Sequence, residues 1–416
     1  MNKLKLLCHK YNLDSTSILL GVGLALFPVH NKIQPGIYET NGELHAVVFL
    51  PQIAFGLIAV ALCIEWHKKQ KWDFGDKKVW IPLLVIIGSI FIQTLINFNI
   101  ESLASACFGA CLFGVYLVSK RIGTKIWLVM LPFLIIESVS TIVYGLVYPG
   151  VRAAGLITSP YPIVPNVNYD IAIGFMIFVL VAQGKVKWWI TLLVCVALFF
   201  TGAPEMIFVV GCLALVVLIK RDFSKKLLLI VGITLAFAGL WAIPGYTQKI
   251  YSLSGEKLGA LTEAVTGQQT SPEFLDQPDV YKGTFFDTTK ATRLRRLINY
   301  TFSGRIEVME QAVKNISIFG HGYNVLDFTT KTVHNLPLII VDQIGILAGI
   351  AWLWVTLYTL AKSKWSYIWL GIIFLSVFDH YLWTQIGFYW WAIVGTGATR
   401  VYLFKGEVDG KNKVNS

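Results

Sequence analysis

Residues 126–148 read IWLVMLPFLIIESVSTIVYGLVY, with one charge, Glu137, in an otherwise apolar run that begins beside Lys125 and stops at Pro149. A helix needs about 20 apolar residues to cross the hydrocarbon core of a bilayer, and this run is long enough. It shows neither the alternation of a half-buried strand nor the single stripe of a surface helix. The same reading repeats in both directions along the chain. Upstream, 15–30, 44–66, 79–96 and 102–118 are apolar runs bounded by charge or turn residues; downstream, 169–184, 188–201, 206–219, 227–243, 335–361, 365–378 and 387–404 follow. The short runs 188–201 and 206–219 meet at Gly202-Ala203-Pro204-Glu205 and read as a tight hairpin. The sequence therefore predicts an all-α polytopic membrane protein of about 12 transmembrane helices.

Composition points the same way. Of 416 residues, 55% are hydrophobic and 14% charged, with a mean hydropathy of +0.63, whereas soluble domains carry about 25% charged residues. Those figures exclude disorder, collagen-like repeats and a disulfide-stapled secreted fold. The six cysteines (Cys8, Cys63, Cys107, Cys111, Cys195, Cys212) fall in apolar runs or near the N-terminus, at spacings that match no metal motif. The first run follows Lys3, Lys5 and Lys10, but Leu26-Phe27-Pro28-Val29-His30 offers no small-x-small cleavage site, so it is expected to stay as an anchor.

The net charge of +11 is a topology signal rather than a nucleic-acid signal. Basic residues recur in alternate loops: Lys68 to Lys78, Lys120 to Lys125, Lys185 and Lys187, Lys220 to Lys226, and Lys362 with Lys364. With the terminal lysines these sites hold 22 of the 35 basic residues, and the other short loops hold Lys32 and Arg152. Positive-inside bias then puts both termini in the cytoplasm. Trp72, Trp80, Trp127, Trp188, Trp189 and Trp365 stand at run ends, where an aromatic belt places anchors.

This orientation divides the chain into helices 1 to 9 (residues 1–243), a long outer loop (244–333), helices 10 to 12 (334–404) and a cytoplasmic tail (405–416). A loop of that length is usually functional. It carries ten basic and nine acidic residues, and its arginines cluster late, at Arg293, Arg295, Arg296 and Arg305. Such a patch suits lipid headgroups; the planar guanidinium fork also suits a pyrophosphate. From Ser303 the spacing of Ile306, Met309, Val313 and Ile316 predicts an amphipathic helix over 303–319, capped by Ser303 and closed by Gly320. His321 follows in a glycine turn, and His334-Asn335 stands at the entrance to the tenth helix. A rim histidine is commonly an interfacial cap, so a catalytic role rests on its neighbours. Acidic residues inside apolar runs, Glu137 and Asp342 among them, default to functional hypotheses. The outer side holds no Asp-x-Asp pair, so no metal and no cofactor are expected.

Ser303-Gly304-Arg305, Phe319-Gly320-His321-Gly322-Tyr323-Asn324, His334-Asn335 and Gln343-Ile344-Gly345-Ile346-Leu347-Ala348-Gly349, in that order, resemble the signature of the O-antigen ligase and O-antigen polymerase superfamily. Arg152 to Gly155 with Pro165-Asn166 is similar to that family's arginine and Pro-Asn loop, and Asp379-His380-Tyr381-Leu382-Trp383-Thr384 to a segment before its last helix. The likeness covers roughly residues 150–395. Two places depart from it: Gln343 stands beside Asp342 where the family has Glu, and Gly202-Ala203-Pro204-Glu205 replaces a Ser-Arg pair.

The resemblance implies an inverting, metal-independent glycosyltransferase in a bacterial cytoplasmic membrane, with its active site facing the periplasm. Its donor would be an undecaprenyl-pyrophosphate-linked oligosaccharide. Its acceptor would be a glycan, lipid or protein, and a polymerase would have a chain-length regulator as partner. His334 is then the expected base or orienter for the acceptor hydroxyl, with His321 its rival. Arg152, Arg293, Arg295, Arg296, Arg305 and His321 would hold the pyrophosphate, supported by Asn166, Asn335 and Asp342. The competing reading is a twelve-span transporter or flippase of lipid-linked sugars. The absence of two similar halves and the single long outer loop weigh against it.

Overall fold

Asp76 shows how these helices begin. Its backbone is extended (φ −69°, ψ 126°) and its carboxylate accepts from the amide of Lys78, which starts a 20-residue helix at Lys77. The computed structural model describes residues 13–26, 32–33, 38–40, 43–45, 48–68, 71–98, 100–147, 188–200, 305–314, 316–322, 335–362 and 387–398, with four scattered positions over 369–376. Their helices are α1 (Ser15–Leu26), α2 (Leu50–His67), α3 (Lys77–Ile96), α4 (Ile100–Ile122), α5 (Lys125–Val147) and α6 (Trp188–Phe200). Then come α7 (Arg305–Lys314), α8 (Leu336–Ile344), α9 (Ile346–Lys362) and α10 (Gly387–Ala398). The described strands are confined to two antiparallel ribbons, β1 (Lys32–Ile33) with β4 (Val48–Phe49) and β2 (Tyr38–Thr40) with β3 (Glu43–His45). The architecture of the described residues is thus α-helical, as the sequence predicts.

Seven helices occupy predicted runs with shifted ends. The run expected from Leu44 becomes helical only at Leu50, because Pro51 is at home in a first turn and β3 and β4 take the residues before it. Among the described residues, α3 and α5 are long and apolar enough to cross a membrane by length and composition; α1, residues 53–67 of α2, and α9 are shorter apolar helices. The predicted runs 206–219 and 227–243 lie outside the described residues, as do 169–184 and most of 365–378.

α3 and α9 run antiparallel, pinned at one end by a contact with a specific cause. Pro82 has no amide to give to the carbonyl of Lys78 four residues back. The indole Nε1 of Trp354 donates to that carbonyl at 2.9 Å instead, and the Tyr358 hydroxyl donates to Asp76 Oδ2. Around this pair, α4 packs on α3 and on α10, α2 on α1, and α5 on both α1 and α6. A Cβ at Gly395 would fall 2.5 Å from the carbonyl oxygen of Tyr116, so glycine is what lets α10 lie so close to α4. Phe388 meets Phe108 edge-on at 4.7 Å, and Trp352 stacks on Trp390 at 6.0 Å.

The core is apolar, with Leu83, Ile86, Ile90, Met130 and Val355 buried, but the outside is apolar as well, which a water-soluble bundle avoids. α3 turns Ile81, Leu84, Phe91, Ile92 and Leu95 outward and buries Gln93 and Thr94; α5 exposes Ile136, Val139 and Val143 and buries Glu137, Ser138 and Thr141. α9 exposes Leu347, Ile350, Leu353 and Leu357 while burying Thr356 and Thr359. Contiguous apolar surface on this scale costs free energy in water.

One end of the bundle is basic. Glu65, 2% exposed, accepts from Thr16 Oγ1 at 2.7 Å and from Lys68 and Arg121. α4 runs on past the predicted Val118 to Ile122, which buries Lys120 against Asp73 at 2.5 Å. The hydrogen bond from Lys120 holds the Asp73 carboxyl below the ordinary range, and the hydrogen bond from Tyr358 does the same for Asp76.

Candidate functional site

At the opposite end of α3 and α9, an apolar run that reads as one helix, 335–361, is broken. Asn335 (φ −154°, ψ 115°) caps α8 by accepting from Leu338 N at 3.1 Å. α8 stops at Ile344, and Gly345 adopts φ 93°, ψ 167°, a conformation open essentially to glycine alone. α9 starts at Ile346 and doubles back, so that Val341 and the carbonyl of Pro337 lie against Gly349. The tenth predicted span is therefore two helices in the structure rather than one.

A helix break exposes amides and carbonyls that need partners wherever water is scarce. The segment 316–322 supplies them. Ile346 N donates to Ile318 O at 3.2 Å, His321 N to Asp342 O at 2.7 Å, and Gly322 N to Gln343 O at 3.0 Å. For the same reason the predicted amphipathic helix over 303–319 is shorter: α7 ends at Lys314, and the carbonyls and amides of 318–322 are engaged with the break. Ser303 lies outside the described residues. Gly320, expected as a helix stop, takes φ 78° inside this docked segment, where a Cβ would sit 2.5 Å from Gln343 O. Of the four residues expected to line the apolar stripe, Val313 and Ile316 are exposed, and Ala312 is buried instead.

The docking brings two predicted site residues together. His321 Nδ1 lies 3.1 Å from Asp342 Oδ1; the imidazole is about half exposed, and the carboxylate side chain is 2% exposed. With Nδ1–H donated to the carboxylate, Nε2 keeps a lone pair and can take a proton from a substrate group. Gln343 is buried beside the pair. Asn335, expected as a supporting residue, caps α8 at the end remote from Asp342. Arg305 is the first residue of α7, which packs on α8. Arg152, Asn166, Arg293, Arg295, Arg296 and His334 lie outside the described residues. No cluster of three or more His, Cys, Asp or Glu side chains that could hold a metal ion occurs among the described residues.

Two residues that the sequence reading passed over belong to this site. The Gln93 side chain, from α3, donates to the carbonyls of Phe319 and Gly320, the latter at 3.0 Å, and its Oε1 accepts from Asn97 Nδ2 at 2.9 Å. A signal was available in the sequence for Gln93, which is the one amide in the apolar run 79–96, and none for Asn97 just beyond it. No family model, curated protein or solved structure matches this chain.

Proposed function

We propose that this chain is an integral-membrane, inverting, metal-independent glycosyltransferase. It takes a glycan from an undecaprenyl-pyrophosphate-linked donor at the outer face of a bacterial cytoplasmic membrane and passes it to an acceptor hydroxyl, as a surface-polysaccharide polymerase or ligase. The observation that carries this reading is the His321–Asp342 pair, held in a helix break at the end of α3 and α9 away from the lysine-rich end. The apolar outer surfaces of α3, α5 and α9 favour a bilayer around the bundle, and about 30 Å of α3 separates Lys77 from Ile96, one hydrocarbon thickness.

In the proposed reaction His321 Nε2 accepts the proton of the acceptor hydroxyl as its oxygen bonds to the anomeric carbon. The bond from that carbon to the phosphate oxygen breaks on the opposite face, and the pyrophosphate leaves with the electron pair. Asp342 holds the tautomer and stabilises the imidazolium. Arg152, Arg293, Arg295, Arg296 and Arg305 are the guanidinium groups proposed to hold the leaving group. The partnership with Asp342 favours His321 over His334 as base.

The broken helix also favours a second reading, since interrupted helices line the substrate sites of many transporters. Proteoliposomes loaded with an undecaprenyl-pyrophosphate oligosaccharide and an acceptor glycan separate the two. A glycosyltransferase yields a longer or transferred glycan, and His321→Ala lowers the rate about 10²- to 10⁴-fold. Movement of the lipid-linked sugar across the bilayer with no new glycosidic bond would establish the transporter. Full activity in His321→Ala with none in His334→Ala would return the base role to His334.

A further inference from the structure

The peptide unit joining Gly320 to His321 is gripped on both sides. Its N–H donates to Asp342 O at 2.7 Å, and its C=O accepts from Gln93 Nε2 at 3.0 Å. The neighbouring carbonyl of Phe319 accepts from the same amide group. Only the NH₂ end of Gln93 can serve two carbonyl oxygens, and Asn97 completes the assignment by donating to the oxygen end. Gln93 is 2% exposed, so solvent does not compete for these bonds. The histidine sits between Gly320 (φ 78°) and Gly322 (φ 135°), whose backbones have wide freedom. Local geometry therefore does not orient the imidazole, and contacts from outside the loop must. An amide buried in an apolar helix is costly unless its hydrogen bonds are made, and here they are made to the segment that carries the proposed base.

We propose that Gln93 is a positioning residue for His321: by holding the Gly320–His321 peptide it sets the imidazole against Asp342 and toward the acceptor hydroxyl. The role rests on the glycosyltransferase reading, while the clamp itself can be tested without it. With full-length protein in proteoliposomes and an undecaprenyl-pyrophosphate oligosaccharide as donor, Gln93→Leu should lower kcat about 10- to 100-fold with donor KM changed less than about twofold. In a His321→Ala background the same substitution should cost nothing further, because the two act as one unit. Gln93→Glu keeps the length but turns acceptors on two carbonyls. It should lose as much at neutral pH, and its loss relative to wild type at the same pH should shrink several-fold as the pH falls and its carboxyl regains a donor, since protonation of the base slows both proteins alike. An equal loss from Gln93→Leu in both backgrounds, or wild-type kcat in both single variants, overturns the proposal.

Amide hydrogen exchange on the same full-length protein in detergent gives the chemistry-free arm. Gln93→Leu should speed exchange at His321 and Gly322 at least about tenfold, while the middle of α3 keeps its protection. That result in a protein that transfers no glycan would sink the enzyme reading and leave the clamp standing. Unchanged exchange at His321 and Gly322 would remove the clamp whatever the chemistry.

Discussion

Replacing Gly345 with alanine tests whether the helix break is held by the docked segment. At φ 93° and ψ 167° a residue with a Cβ is strained by about 1 to 3 kcal/mol. The new Cβ would fall 2.1 Å from Ile318 O and 2.9 Å from the carbonyl carbons of Ile318 and Phe319, all backbone, so the segment rather than a side chain has to move. Moving it weakens the bonds Ile346 N to Ile318 O, His321 N to Asp342 O and Gly322 N to Gln343 O, each worth about 0.5 to 1.5 kcal/mol. Strain and lost bonds together destabilise the folded protein by roughly 3 to 7 kcal/mol. Gly88→Ala is the matched control: nothing lies within 4 Å of its added Cβ, and alanine is favoured over glycine in a helix by about 1 kcal/mol. Reversible denaturation in mixed micelles should show the two substitutions shifting stability in opposite directions. Gly345→Ala within about 0.5 kcal/mol of wild type would mean that Gly345 is not locked against Ile318, and the account of the break would be wrong.

Glu65→Gln should cost about 1 to 3 kcal/mol, since it removes the charge that Lys68 and Arg121 share and leaves Lys68 with Asp14 at 3.8 Å and the Thr16 hydroxyl, while both side chains are about a third exposed and so partly rehydrated; denaturation of Glu65→Gln alongside Glu65→Gln/Lys68→Met, with a smaller loss in the double variant, checks it. The Asp73 and Asp76 carboxyls are held below their ordinary value of 3.8. Their contribution is therefore complete above that value and disappears as the pH falls through the lower folded-state values. Tyr358→Phe should be less stable than wild type near neutral pH and converge with it in acid, and a gap independent of pH would refute the assignment. A cysteine introduced at Gln268 should react with an impermeant maleimide from the periplasmic side of intact cells; labelling from the cytoplasmic side alone would invert the proposed topology.

The positions of the helices were legible from the apolar runs, and their ends less so. The run from Val79 begins two residues after α3 does, behind Asp76, and the described lysines gather at one end of the bundle, whereas α2 starts at Leu50, six residues after the expected Leu44. The break at Gly345 was not legible, because apolar runs in membranes tolerate glycine and 335–361 reads as one long hydrophobic run in which Asp342 and Gln343 look like isolated polar residues. What breaks it is a segment 23 or more residues upstream that takes up the freed amides and carbonyls. The shortened α7 has the same origin: the spacing of Ile306, Met309, Val313 and Ile316 is helical, but the backbone beyond 317 has better partners elsewhere. His321 and Asp342 were each marked from sequence as separate candidates, and their pairing is non-local. Gln93 was passed over because one amide in a hydrophobic run reads as filler until its partners are seen.

The clasp at Asp76 and Lys78 and the clamp at Gln93 lie on one helix, 17 residues apart at their extremes, and this places a constraint on how the gene can change. Each residue added to or removed from a helix turns everything beyond it by about 100° and shifts it by 1.5 Å. A single-codon deletion anywhere between Lys78 and Gln93 would keep the Trp354 and Tyr358 contacts and swing the amide away from Phe319 and Gly320. Loss or gain of about seven codons, close to two full turns, would restore the facing but displace the amide by about 10 Å along the helix axis. The stretch is thus locked in both phase and length: it accepts exchanges of one apolar residue for another along its outer face, and it does not accept insertions or deletions.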